Sequence, residues 1–195
     1  IIGNFIAPFI IKKIGAKNIA ALPLRGLPHF FHRGPQAKTN EGAKMLNVFF
    51  MGSTYKVRRN KKVLRFVLED IIPRVQSLDS ASFQFHIFGK KFPQEYQPFL
   101  GKNILCRGFV EDLDAALKEM DIALAPYLQT GDPRGMQMKI FEPLARGFPV
   151  VASPNGLAGY DFQNGKQVLF AQTADDFARQ LVRLKDVKLR ERIST

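Results

Sequence analysis

The sequence has very little cysteine, and this scarcity excludes several classes of protein. Cys106 is the single cysteine among 195 residues, so the chain can form neither an internal disulfide nor a cysteine-rich metal site. One cysteine fits a reducing cytoplasm. The chain also lacks the biased composition of disordered proteins, and its apolar fraction of 46% is enough for a sizeable core.

Long hydrophobic runs are absent as well. The apolar opening IIGNFIAPFII is interrupted by Pro8 and followed by Lys12 and Lys13, so it is too short to span a bilayer. No secretory signal is evident. We therefore expect a cytoplasmic protein. Because the first residue is isoleucine, we also expect a fragment or a processed chain.

Acidic residues are scarce in the first third of the chain. Residues 1–65 hold 13 lysines and arginines against one acid, Glu41, whereas the remainder carries 16 charges of each sign. An anionic lipid surface, nucleic acid or a phosphorylated ligand could explain this excess, and a solvated basic face is the plainer alternative. Because zinc-finger spacing, RNP-type aromatic motifs and recognition-helix patterns are all missing, we expect no nucleic-acid partner.

The common catalytic sets are missing too. The sequence contains no recognisable Ser–His–Asp or Cys–His set and no cluster of metal ligands, so it predicts no metal site. Asp112 and Asp114 form a D-x-D pair, but they open a predicted helix, where acids are expected. His86 falls within a predicted strand and is most simply a core or sheet-face residue. His29 and His32 flank phenylalanines in a segment with the composition of a linker.

What is present from residue 46 onward is an alternation of strand and helix patterns. The apolar residues at 63, 64, 67, 68, 71, 72 and 75 have the spacing of one helical face. Further helices are predicted over 111–120, 135–147 and 173–184, the last with Thr173 as its N-cap. Predicted strands cover 47–52, 83–89, 103–109, 121–126, 148–153 and 166–171.

This alternation predicts an α/β fold with a doubly wound, Rossmann-like parallel sheet covered on both faces. Residues 46–195 would form that domain. Residues 1–45 fit the alternation less well, with a helix, a strand at 18–24 and a Gly/Pro/His-rich connector. We interpret residues 1–45 as the tail of an N-terminal domain followed by an interdomain linker.

The segment GDPRGMQMKIFEPLARGFPVVASPNG, residues 131–156, carries the main candidate site. Its glycine loop leads into a helix, and the free N–H groups and positive dipole end at that helix start can bind a phosphate. Lys139 can add a positive charge, and Glu142 lies on the same helical side, three residues later. A carboxylate there suits the vicinal hydroxyls of a ribose. An ordinary exposed Lys–Glu pair beside a turn is the alternative.

The same segment resembles the signature G-x-x-x-K-x-x-E-A-x-A-x-G-x-P-V-V of GT-B glycosyltransferases of the group 1 type. The resemblance extends over about residues 46–193, through VFFMGSTYKVRRN, FHIFG, GFVEDLDAALKEMDIALAPY and NGKQVLFAQTADDFARQLVRL. These stretches occur in the order and with the approximate spacing of that family. The resemblance implies that the chain is a GT-B C-terminal domain, the domain that binds the nucleotide sugar.

The resemblance also implies roles for individual residues. Lys139 and Arg59 would contact the diphosphate, and Glu142 would contact the nucleotide ribose. The base would rest near Gly89-Lys90 and Phe109-Val110. Further lining of the nucleotide site is expected from Gly52, Arg134, Gly135, Met136 and Gln137, with Gly135 allowing close approach of the chain.

Three positions depart from the family pattern. Arg134 stands where many retaining members carry a glutamate, and it could reach a phosphate instead. Gln137 stands where related members carry arginine. Pro143 replaces the usual alanine, and because it lacks an N–H it is predicted to bend the helix and so to re-aim Lys139.

The resemblance therefore predicts a glycosyltransferase that moves a sugar from a nucleotide-diphosphate donor to an acceptor, with retention and without a metal or other cofactor. This chain would be the donor-binding half, and an N-terminal domain would supply the acceptor site. A non-catalytic nucleotide-binding subunit and a nucleotide-sugar epimerase on the same fold are the alternatives. The basic first third would dock to an anionic membrane surface carrying a lipid-linked acceptor.

Overall fold

A six-stranded sheet forms the centre of the domain, as seen in a computed structural model that describes residues 45–127, 138–157 and 162–193. Every strand pair is parallel, and the strand order is β3-β2-β1-β4-β5-β6. The strands are β1 (Leu46–Thr54), β2 (Phe83–Lys90), β3 (Ile104–Gly108), β4 (Ile122–Ala125), β5 (Val150–Ala152) and β6 (Leu169–Phe170). The predicted α/β fold with a doubly wound parallel sheet is confirmed. The tail, linker and strand predicted before residue 45 lie outside the described residues.

The first helical segment follows β1 and contains one irregular turn. Helix α1 (Arg58–Arg65) continues through a π-helical turn (Phe66–Ile71) into α2 (Ile72–Leu78). All seven apolar residues of the predicted helical face are buried, which confirms that prediction. The π-helical turn was not predicted. It lies directly before Pro73, which has no N–H to donate to an ordinary helical turn.

Four further helices lie within the described residues. They are α3 (Leu113–Leu117), α4 (Met138–Ala145), α5 (Ala174–Arg183) and α6 (Val187–Ile193). The Asp112 side chain caps α3 by accepting a 2.9 Å hydrogen bond from the Ala115 amide, so its predicted capping role is confirmed. Thr173 caps α5 in a reciprocal box with Asp176, also as expected. Two 3₁₀ turns, Gln94–Phe99 and Pro154–Leu157, complete the described elements.

The end of β1 differs from the prediction, which placed it at Gly52. The strand continues to Thr54, which pairs with Lys90 of β2 after an irregularity in the register. The next amide, that of Tyr55, donates a 2.9 Å hydrogen bond to the Lys90 carbonyl oxygen. The longer strand therefore reaches the same sheet edge as the end of β2.

Candidate functional site

The order of the strands creates a crevice at the carboxyl edge of the sheet. The chain leaves β1 towards β2 on one side, while β4 and β5 continue on the other, so β1 and β4 are the point where the winding reverses. Ligands of doubly wound sheets bind in the crevice at such a point. A cleft of about 590 Å³ lies at this edge, lined by residues 51–54, 88–90 and 108–110 at the strand ends and by Leu113, Lys139 and Glu142.

Most of the predicted site residues that the structure describes meet in this cleft. The strand ends contribute Gly52, Gly89, Phe109 and Val110, and helix α4 contributes Lys139 and Glu142. Arg59 does not line the cleft, but its positive charge acts on Lys139. The four predicted residues Arg134, Gly135, Met136 and Gln137 lie outside the described residues, so their part in the site remains a prediction.

Two of the glycines that line the cleft, Gly52 and Gly89, are required by packing, which the sequence did not suggest. Both lie against the ring of Tyr55, which is 2% exposed. A Cβ atom at either Gly52 or Gly89 would come within 3 Å of that ring. Gly89 also has a φ of +142°, which side chains rarely adopt. Burial raises the pKa of the Tyr55 hydroxyl well above its usual value, so this group remains a neutral donor.

Lys139 lies in an electrostatically unfavourable place. Its side chain is partly buried, and this desolvation lowers its pKa from the ordinary 10.5. The neighbouring charge of Arg59 lowers the same pKa further. Two cations held close together beside a cleft are stabilised by an anion placed between or beside them, as a diphosphate would be.

Glu142 is held by a residue that the sequence analysis missed. The Arg146 guanidinium donates from Nε and Nη2 to Oε1 of Glu142, at 2.7 and 2.5 Å. Nη2 of the same arginine lies 2.5 Å from Oδ1 of Asp114 in α3. Arg146 is fully buried, and the Glu142 side chain is 15% exposed. The Glu-to-Arg spacing of four residues within an otherwise apolar run was the sequence signal for this pair.

An exposed aromatic ring forms the outer part of the cleft. Phe109 follows β3 and is 61% exposed, although it is a large apolar side chain. The Lys90 ammonium lies 3.8 Å from the centre of its ring, a cation–π contact that joins the loops after β2 and β3. An exposed ring beside a cleft can stack on a planar base.

His86 lies inside the fold, away from the cleft, as predicted. Arg107 Nε donates to its Nδ1 at 2.9 Å, so the ring proton is on Nε2, which lies 3.2 Å from Oδ1 of Asn47. Burial lowers the pKa of His86 to about 4, and the charge of Arg107 adds to this. The histidine is therefore a neutral core residue at physiological pH.

The described residues contain neither a cluster of metal ligands nor a helix able to cross a membrane. Between residues 45 and 193, apart from the gaps at 128–137 and 158–161, no three His, Cys, Asp or Glu side chains group together as metal ligands would. Within the same ranges, no helix has both the length and the apolar character needed to cross a membrane.

One protein family and several solved structures are similar to this chain. A family model described as "Glycosyl transferases group 1" matches residues 46–186. The crystal structure of TarM aligns with a TM-score of 0.68 at 15% identity, over 96% of this chain and 36% of TarM. The C-terminal domain of a group 1 glycosyl transferase family protein (LpcC) from Francisella tularensis aligns with a TM-score of 0.60 at 17% identity, over 84% of this chain and 90% of that domain.

A further neighbour was solved with a nucleotide sugar. Anabaena Alr3699/HepE in complex with UDP-glucose has a TM-score of 0.59 at 14% identity, over 78% of this chain and 42% of HepE. At these identities the likeness shows the fold alone. No curated protein matches the chain. The chain spans 36% of TarM, so most of that protein has no counterpart in it.

Proposed function

Because this chain belongs to the group 1 glycosyl transferases, we propose that its cleft binds the nucleotide-diphosphate sugar from which a glycosyl group is transferred. The observation that carries the proposal is the shared position of Lys139 and Glu142. Both residues line one cleft at the carboxyl edge of a doubly wound sheet, with the charge of Arg59 beside the lysine. This arrangement offers a cation to a diphosphate and a carboxylate to a ribose about one helical turn away.

The proposed chemistry follows from where charge develops. In glycosyl transfer the bond between the anomeric carbon and the diphosphate oxygen breaks, and a bond from that carbon to an acceptor hydroxyl forms. Negative charge builds up on the departing diphosphate. Lys139, which lines the cleft, would stabilise that charge directly, and the charge of Arg59 beside it would add to this effect. We therefore propose transfer without a metal, and with retention of configuration as the family resemblance implies. Phe109 would support the base.

UDP sugars are the first donors to test. HepE, a neighbour with the same fold, was solved with UDP-glucose, and GtfA, another, was solved with UDP and GlcNAc. We propose calorimetric titration of the full chain with UDP, GDP, UDP-glucose and GDP-mannose. Micromolar binding of one nucleotide, in the presence and absence of EDTA alike, supports the proposal. Failure of all four to bind contradicts it.

The acceptor would be anionic or carried on an anionic surface. Lys56 and Arg58 follow β1, Lys90 ends β2 and Lys91 follows it. All four are exposed, and the Thr54–Lys90 pairing brings the two strand ends together. This basic rim adjoins the cleft and fits the inner face of a membrane carrying a lipid-linked acceptor, with an N-terminal domain of the enzyme completing the acceptor site. Liposome flotation tests this, because binding should increase with the fraction of anionic lipid. Equal binding to neutral and anionic vesicles would contradict membrane docking.

A nucleotide-binding subunit without transfer activity is the second candidate. Arg134 favours it, since this arginine stands where many retaining members carry a glutamate. Donor hydrolysis separates the two functions once binding has been measured. Slow release of free sugar from the bound donor indicates a transferase. Tight binding with an intact donor, also in the presence of the proposed N-terminal domain, indicates a subunit that only binds.

A further inference from the structure

Arg146 occupies an unusual position for a charged side chain. It is the largest fully buried residue among those described, and it lies at the end of α4, one turn beyond Glu142. Its bonds reach two carboxylates on two helices, Glu142 in α4 and Asp114 in α3. Each helix also has apolar residues packed into the core, among them Leu117 in α3 and Ile140 in α4.

A buried ion pair is weak support for stability, because removing charges from water opposes the gain from their attraction. Apolar residues of similar volume would fill this place at least as well. Arginine does provide something that apolar residues cannot, since its Nε and Nη2 both donate to Oε1 of Glu142 and so hold that oxygen in place. The contact therefore restricts the rotamer of Glu142, the residue that lines the cleft.

We propose that Arg146 is a positioning residue, which holds Glu142 in the orientation that accepts hydrogen bonds from the donor ribose and, through Asp114, fixes α4 relative to α3. This inference rests on the proposed donor site. The contact to Asp114 matters because α3 begins directly after the loop of Phe109 and Val110, and its Leu113 also lines the cleft. Arg146 thus connects Glu142, on the proposed ribose side of the cleft, to helix α3, on the proposed base side.

The test is the ability of the full chain to distinguish a ribose from a deoxyribose. The probes are UDP, 2′-deoxy-UDP and 3′-deoxy-UDP, titrated by calorimetry, with inorganic pyrophosphate as a probe of the diphosphate half alone. We expect the wild type to prefer UDP over at least one deoxy analogue by about tenfold or more, and Glu142→Ala to abolish that preference. Arg146→Lys keeps the positive charge but loses the planar guanidinium with its paired N–H donors. This variant should reduce the preference for UDP to about threefold or less while leaving pyrophosphate binding unchanged.

Two further variants separate positioning from general stability. Arg190 is also buried, at 4% exposed, and donates to the carbonyl oxygens of Leu184 and Lys185, far along the chain from the cleft. Arg190→Lys should lower the thermal midpoint without changing ribose preference. In the double variant Glu142→Ala/Arg146→Lys, UDP affinity should equal that of Glu142→Ala alone, because both changes act through the same carboxylate. A further loss would mean that Arg146 affects binding by another route.

The outcomes distinguish the inference from the function on which it rests. If Glu142→Ala leaves ribose preference intact, the assignment of Glu142 in the proposed donor site is wrong. If Glu142→Ala abolishes the preference but a folded Arg146→Lys variant retains it, the positioning role of Arg146 is overturned while the proposed donor site stands. Should Arg146→Lys not fold, Asp114→Ala decides, since it removes one carboxylate partner of the guanidinium at a residue whose side chain is 43% exposed. Full ribose preference in that variant would then overturn the inference.

Discussion

The Tyr55 hydroxyl donates a 2.7 Å hydrogen bond to the carbonyl oxygen of Phe88, and so fastens the end of β1 to the end of β2. The ring between these ends fills the space beside Gly52 and Gly89. Two glycines that resemble ligand-approach positions are therefore also required by the packing of one buried tyrosine. The floor of the cleft depends on this contact, because both strand ends line it.

Gly89→Ala should destabilise the fold strongly. The new methyl group would meet the Tyr55 ring at 2.8 Å, and the φ of +142° is unfavourable for any side chain. We expect a loss of about 2–4 kcal/mol in the free energy of unfolding, measured by urea denaturation. Gly101→Ala is the matched control, since a Cβ there has open space and the change should cost less than about 1 kcal/mol. Equal losses for the two variants would refute this account of Gly89.

Lys139→Met should separate stability from binding. Because burial and Arg59 lower the pKa of Lys139 in the folded chain, its charge opposes folding below that pKa, and the opposition fades as pH rises towards 10.5. Removing the charge should leave the unliganded chain at least as thermally stable, while UDP affinity falls about tenfold or more. Lys118→Met, at an exposed lysine outside the cleft, should change neither quantity. A destabilised variant with unaltered UDP affinity would disprove the anion-binding role.

Phe109→Ala should weaken binding of the base but not of the diphosphate. The exposed ring would lose its stacking contact, and we expect UDP affinity to fall by about 5- to 100-fold. Pyrophosphate affinity should not change, as measured in the same calorimeter. Leu78→Ala is the control, because Leu78 is similarly exposed, at 58%, but does not line the cleft. A parallel loss of pyrophosphate affinity in Phe109→Ala would point to a general collapse of the cleft instead.

His86 should make stability depend on pH in a defined window. Its folded-state pKa of about 4 lies below the ordinary 6.5, so the unfolded chain binds a proton first. The free energy of unfolding should be level above pH 6.5 and decrease by up to about 3 kcal/mol as pH falls towards 4. Asp79 and Asp176, whose pKa values are held at about 2 by hydrogen bonds, lose their contributions only below this window.

His86→Gln provides the comparison for that pH series. Glutamine can bond to Asn47 or Arg107 but does not titrate, so the slope between pH 6.5 and 4.5 should largely disappear in urea titrations of this variant. A slope identical to that of the wild type would mean that another group is responsible.

Local rules were sufficient to predict much of the fold. The periodic apolar residues from Val63 to Val75 lie on one buried face, and Thr173 caps its helix, because both features depend on neighbours in sequence. Several residues that line the cleft could also be predicted from their positions after strands, since parallel strands bring their carboxyl ends to one edge of the sheet whatever the details of packing.

Features that depend on long-range contacts were not predictable from local patterns. The extension of β1 to Thr54 needs Lys90 of β2 as a partner, and the place of Tyr55 needs the carbonyl of Phe88. Arg146 was not singled out from the sequence, because its second partner, Asp114, is 32 residues away in the chain. Asp114 itself was interpreted as an acid of the helix start, where it lies, but its pairing with Arg146 adds a role that helix rules do not include.

The most direct test of the central claim is to map donor binding on the ¹⁵N-labelled full chain by nuclear magnetic resonance. Titration with UDP-glucose should shift the amide signals of Gly52, Gly89, Phe109, Val110 and the α4 residues around Lys139, which line one cleft. Signals from the separate basic depression around Arg183 and Arg192 should stay in place. Shifts confined to the cleft are the result that we predict. Shifts centred elsewhere, or none at saturating donor, would contradict the assignment of this cleft as the nucleotide-sugar site.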